Sequence, residues 1–372
     1  MTTATARRVP DASPVTQAAG ARIVSLDQFR GYTVVGMLLV NFLGGYRVVP
    51  AILQHHNTYC SYADTIMPQF FFAVGFAYRL TFLRRIEALG TRAASVALLR
   101  RCAGLALLGI AVYHLDGGVK TWAELQSLGL RGFIATAFRR EPFQTLVHIA
   151  LASVWVLPVM ASGTATRVVF LLASAALHLG LSRWFYFQWA WTCPVIDGGP
   201  LGFLTWSIPL LVGSLAYDAV AHRGTGTGVL VRLVVWSTVL MAVGYALSCL
   251  GGFPAALPFC PPQSPVNLWT MSQRTGSVSY LTFAAGFSLA VYAFFLGLCD
   301  GNRGRVELGL FRAFGRNALV AYVLHDMVAG AVKPYVPKDA PLWYLAIGFG
   351  VYFVTNTLFV RGLERSGVFL RL

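Results

Sequence analysis

Charge is what this sequence has least of. Asp, Glu, Lys and Arg together make up 12% of its residues, about half of what a soluble domain carries. A chain so poor in charge cannot cover a water-facing surface with polar groups. An ordinary soluble globule is therefore excluded, and lipid must be part of its solvent. Lysine is rarer still, confined to Lys120, Lys333 and Lys338, and so strong a preference for arginine points to a GC-rich bacterial genome. Long polar stretches are missing from residue 31 almost to the end, which leaves no room for a separate soluble domain, and residues 25–372 read as one transmembrane unit. Residues 1–24 lack the apolar segment of a secretory signal and read as a disordered cytoplasmic tail. Several catalytic signatures are absent as well. With no HExxH pair, no glycine-rich phosphate loop and no GxSxG turn, the sequence excludes the chemistries those motifs carry. The adjacent His55-His56 pair lacks the i, i+4 spacing of helical metal ligands, and no metal is expected.

Apolar side chains are what the sequence has in abundance, at 56% of residues. Roughly 18 or more apolar residues suffice to span a bilayer as a helix. About ten such stretches occur, near 31–52, 64–83, 96–115, 143–162, 166–183, 202–220, 228–249, 277–299, 310–332 and 341–361. The expectation is an all-α, polytopic transmembrane bundle. With ten spans, the arginines of 7–30, 84–101, 223–232, 303–312 and 361–371, together with Arg167, fall on one side. The positive-inside rule makes that side, and both termini, cytoplasmic. The formal charge of +15 then reads as orientation and contact with anionic lipid, not as nucleic-acid binding. The setting is an integral protein of a bacterial plasma (inner) membrane. A homodimer is one assembly such a bundle allows.

One connection breaks the pattern. Residues 117–142 should face outward yet carry Lys120, Arg131, Arg139 and Arg140, and Trp122–Phe138 reads as an amphipathic helix lying at the interface. Three outward connections are rich in aromatic residues: 48–63 with His55, His56, Tyr59 and Cys60; 184–201 with Trp184, Trp189, Trp191, Cys193 and Asp197; and 250–276 with Cys260 and Trp269. Aromatic belts and a substrate-binding role are both open for them. The three cysteines share one side, so a disulfide among them is open, its pairing unspecified by sequence.

Polar groups inside spans are costly and are commonly functional or structural glue. Asn41 falls deep in the first span. Asp64 opens the second, where a carboxylate also caps a helix N-terminus. His148 falls in the first turns of the fourth span, and His325 and Asp326 in the outer half of the ninth. Histidine changes protonation near neutrality, which suits proton abstraction or nucleophilic attack.

Arg22-Ile23-Val24-Ser25-Leu26-Asp27-Gln28-Phe29-Arg30-Gly31, followed by Met37 and Val40-Asn41, resembles the opening of the heparan-α-glucosaminide N-acetyltransferase-like membrane proteins. Asp64, Pro68, Phe70, Phe72 and Gly75 match that family's second-span motif. Fragments at 146–150, 200–204, 267–270, 315–318 and 369–371 follow in the family's order over nearly the whole chain. The resemblance implies transfer of an acetyl or other acyl group from cytoplasmic acetyl-CoA, used as a cosubstrate, to an amino sugar or related glycan on the outer face. It assigns the catalytic role to His56, with His55 as the rival register, and the partner role to Asn41. Arg30, Asn317 and His325 are then the candidates for contact with the donor, and Asp64 for orienting the histidine. Tyr59-Cys60-Ser61 departs from the family's W-x-G, Leu201 stands near the place of an expected acidic residue, and the lysine before Leu268-Trp269 is absent. These departures fall on the expected acceptor side. A proton-coupled sugar transporter is the rival class, since buried Asn, Asp and His serve carriers too.

Overall fold

The computed structural model describes residues 23–114, 119, 121–137, 142–193, 195–261, 265–301 and 306–369. The expected N-terminal tail up to residue 22, and Lys120, Arg139, Arg140, Arg303, Arg305 and Arg371, lie outside the described residues. Every regular element among the described residues is helical. This follows from composition: inside lipid, a helix satisfies its own N–H and C=O groups within one segment.

We number the longer helices α1 (Val24–Leu43), α2 (Tyr62–Leu89), α3 (Thr91–His114), α4 (Trp122–Ala137), α5 (Thr145–Met160) and α6 (Thr164–Leu181). They continue with α7 (Phe203–Arg223), α8 (Thr227–Ser248), α9 (Val278–Cys299), α10 (Gly309–Arg316), α11 (Ala318–Val332) and α12 (Leu342–Arg365). Among the described residues, seven helices are long and apolar enough to cross a membrane: α2, α3, α6 with its extension, α7, α8, α9 and α12. The protein is thus an all-helical membrane protein. In α2, α7 and α9 between 67% and 78% of the most apolar window is buried, against 22–28% in α3, α6, α8 and α12. The first three therefore form the centre, and the others turn apolar faces outward. On α12 that face carries Ile347, Val351, Val354 and Leu358, spaced as one helical stripe.

Three expected stretches take a different form. The first helix begins at Val24, seven residues before the expected start, because Asp27 and Arg30 lie within it and not before it. Asn41 is therefore near its C-terminal end, about 26 Å along at helical rise, and not at mid-depth. The ninth stretch is two helices. Asn317 leaves helical geometry (φ −115°, ψ 33°), and α10 crosses α1 in close contact while α11 continues separately against α12 and the end of α1. The aromatic residues after 181 are not loop: α6 runs on through a π turn (Ser182–Tyr186) into a short helix (Phe187–Thr192). Helix α4 buries none of its described residues and bends at Gly129.

Glycines set the closest crossings. A Cβ on Gly31 would overlap the Phe311 carbonyl, and one on Gly315 the Asp27 carbonyl, so α1 and α10 meet backbone to backbone. Gly75 and Gly213 do the same for α2 and α7, against Leu210 and Phe72. Gly244 and Gly286 join α8 to α9, against Phe283 and Met241. Helices in lipid gain no hydrophobic force from meeting one another, so this close approach and its dispersion contacts hold them together. Gly75→Leu and Gly213→Leu should each lower the detergent-solubilised unfolding temperature sharply, beyond the ~1–3 kcal/mol of ordinary overpacking. Gly330→Leu, where no neighbour stands within 4 Å, should be neutral. Thermal unfolding of the purified variants measures both.

Candidate functional site

Two sets of connections close the two ends of the bundle. At one end, Phe259 N–H donates to the Cys60 carbonyl, Arg47 N–H to Lys338 and Gly198 N–H to Arg274. At the other, Ser25 N–H donates to Asp300 and Glu364 bridges Arg312 and Arg316. The candidate site lies at the first end, around Asp64.

Asp64 is the third residue of α2 and almost fully buried. Its carboxylate accepts from Ser61 N–H at 2.9 Å, while Ser61 Oγ accepts from Asp64 N–H at 3.3 Å, a reciprocal capping box. The same carboxylate accepts from His56 N–H at 3.3 Å and from His55 Nδ1 at 3.0 Å. One acid thereby caps a helix, pins the loop before it and orients an imidazole. His55 exposes about half of its side chain, with 47% accessible, so the ring is held on one edge and open on the other. Partial burial pulls its pKa down, but the hydrogen bond and charge of Asp64, helped by Asp197 and Gln273, carry it above the ordinary value of 6.5.

His56 is held differently. Its Nε2 lies 2.8 Å from the Ala51 carbonyl, which can only accept, so Nε2 carries the proton. Its ring stacks on Tyr59, with centroids 4.3 Å apart. His55 and His56 thus share Asp64, one through its ring and the other through its backbone.

Asp197, expected only as one residue of the 184–201 connection and not as a site residue, belongs here. It adopts a left-handed backbone (φ 54°) ahead of Gly198 and Gly199, and its carboxylate accepts from Gln273 Nε2 at 2.7 Å. Gly198 and Gly276 approach so closely that a Cβ on either would press on the other's backbone, which fixes the turn against 272–277. Burial pushes the Asp197 carboxyl up to about 6, against the pull of Gln273 and the His55 charge. Two acids therefore flank His55. The signal in the sequence was Asp197-Gly198-Gly199-Pro200, a turn that demands positive φ.

Asn41 joins a second group. Its Nδ2 lies 3.0 Å from His325 Nε2, and Lys333 Nζ donates to its carbonyl at 2.9 Å. His325 Nδ1 faces the Tyr322 carbonyl, so that nitrogen carries the proton and Nε2 accepts from Asn41. Asp326 stands 3.4 Å from the same nitrogen. Arg30, Asn317 and His325 do not converge on one point. Asn317 is buried at the α10–α11 break, its Oδ1 without a partner among the described residues, and Arg30 is partly buried in the first half of α1. His148 is fully buried beside Gly202 and Trp206, with neither ring nitrogen hydrogen-bonded among the described residues. Cys60, Cys193 and Cys260 are free thiols, and burial pushes that of Cys60 well up.

Arg167, expected as a surface arginine, is instead buried and pairs with Asp218. Arg79 donates to the same carboxylate at 3.0 and 3.2 Å, and Arg167 also to Ser214 at 2.8 Å. This triad ties α2, α6 and α7 together; Arg79 and Asp218 sit inside apolar stretches, where charge was the signal.

The chain matches no protein-family model and no curated protein. Fold and geometry define the class alone: an all-helical membrane protein with a half-exposed histidine held by a buried aspartate at one set of end loops. NMR titration of labelled histidine should find His55 protonated above pH 6.5, and Asp64→Asn should lower that midpoint. Because the folded value is the higher one, the pair's stabilisation is complete below the unfolded value and fades as pH rises through the folded one. An unchanged midpoint in Asp64→Asn would contradict the pairing.

Proposed function

We propose that the protein is a ten-span membrane acyltransferase, moving an acyl group from acetyl-CoA on the cytoplasmic side to an amino sugar or related glycan on the outer side. The single observation that carries the reading is the His55–Asp64 pair within a sequence frame that resembles a family with this activity. α1, α5 and the α10–α11 pair complete the ten spans beside the seven longer helices. Both ends of the chain then lie on the arginine-rich side.

The chemistry follows from the tautomer. Asp64 holds the Nδ1–H of His55, so the neutral ring offers its Nε2 lone pair to the open edge. There it accepts the proton of an acceptor amine as that nitrogen attacks the acyl carbonyl. A positioned base of this kind contributes typically 10²–10⁴-fold. The thioester supplies the activated acyl group and a thiolate leaving group, to which the proton finally passes. His56, with Nε2 already committed to Ala51, is the weaker candidate for the base and the better one for shaping the loop through Tyr59. Asn41, bound to His325, supports a polar station for the carbonyl oxygen, a role worth about 3 kcal/mol where such a donor acts. Exposed Trp184 and Trp189 suit the faces of a sugar ring.

Purified protein incubated with labelled acetyl-CoA and a panel of amino sugars should form acylated product. His55→Ala should lower turnover about 10²-fold or more, and His56→Ala should reduce it less. The rate should rise with pH to a plateau above the raised His55 value, since the base must be unprotonated. Counterflow of unmodified sugar in proteoliposomes, indifferent to coenzyme A, would replace this reading with the carrier.

A further inference from the structure

A cavity of about 430 Å³ opens at the end of the bundle opposite His55, lined by Gly309, Arg312, Arg361, Glu364 and Arg365. It has the size of a small-molecule site and the wrong charge balance for an idle surface dent. Three guanidinium groups line it against one carboxylate. That carboxylate is already shared, 3.4 Å from Arg312 and 3.5 Å from Arg316 outside the cavity. Arg361 and Arg365 are exposed, four residues apart on the last turns of α12, with no carboxylate within bonding distance among the described residues. Their spacing puts both on one helix face. Opposite them begins α10, whose first residue, Gly309, lines the cavity and whose N-terminus has no side-chain cap. Its free N–H groups therefore add a further positive end.

A helix C-terminus alone would account for one basic residue in its last turn, but not for the cavity or for the second helix aimed into it. Guanidinium forks match the paired oxygens of phosphate, and several of them beside a helix N-terminus suit its higher negative charge. We infer that the α10–α12 cavity binds a phosphate group carried by a soluble metabolite or by a lipid head. Arg361 and Arg365 grip the phosphate oxygens, and Glu364 sets affinity by competing for Arg312. The inference rests on this geometry and holds whether or not the protein transfers acyl groups.

The test is thermal stabilisation of the purified full chain in neutral detergent, titrated separately with inorganic pyrophosphate and with dioctanoyl phosphatidylglycerol. A saturable rise with pyrophosphate alone assigns the site to a soluble phosphate. A rise with the lipid alone assigns it to a headgroup, and a rise with both to phosphate in either form. In each case Arg361→Ala and Arg365→Ala should raise the half-saturating concentration at least tenfold. Glu364→Gln should lower it, an opposite sign that loss of folding cannot produce. No saturable rise with either probe, or one that the arginine variants leave unchanged, overturns the proposal.

Discussion

Asp64 is a carboxylate with almost no access to solvent, and one end of the molecule is arranged around that fact. A buried charge must be paired and fully hydrogen-bonded or it neutralises. Here donors from Ser61, His56 and His55 meet it. Satisfying the acid fixes the first turn of α2, the path of residues 54–61 and the face that His55 turns outward. Tyr280 of α9 donates to the Asp64 carbonyl at 2.6 Å, so the same turn is locked to the centre of the bundle. The exposed imidazole is thus anchored through Asp64 to two helices, although His55 itself lies in the loop before α2.

The rest of the scaffold solves a different problem with the same economy of polar groups. Between the ends, helices meet through paired glycines, and charge is admitted where it can be matched. The Arg79–Asp218–Arg167 triad is one such place, about four turns along α2 from Asp64. α2 therefore carries a buried carboxylate of its own in its first turn and, further along, an arginine that borrows one. This gives the helix two polar anchors about 22 Å apart at helical rise.

Helices were legible because apolar length alone decides them in lipid, and Asp64 beside His55-His56 was legible because the three lie within ten residues. The start of α1 was missed because Asp27 and Arg30 looked like a flank; the helix accepts Asp27 in its first turn, where the dipole favours it. The split of 310–332 was missed because no proline marks it, only Asn317 after a glycine needed for the α1 crossing. Asp197 escaped because its partner Gln273 is 76 residues away and only the folded turn brings them together. Arg167 was counted as an orienting surface charge, and nothing local in sequence separates such an arginine from one that finds a distant carboxylate.

Transfer across the membrane requires the imidazole and the arginine-lined end of the bundle to face different aqueous compartments. The direct measurement is labelling by a membrane-impermeant maleimide of Asn57→Cys and of Arg361→Cys, each in a background with the native cysteines replaced by serine. Modification of position 57 in intact cells, with position 361 reacting only after the membrane is opened, is the predicted result. Reaction of both from the same side would contradict it.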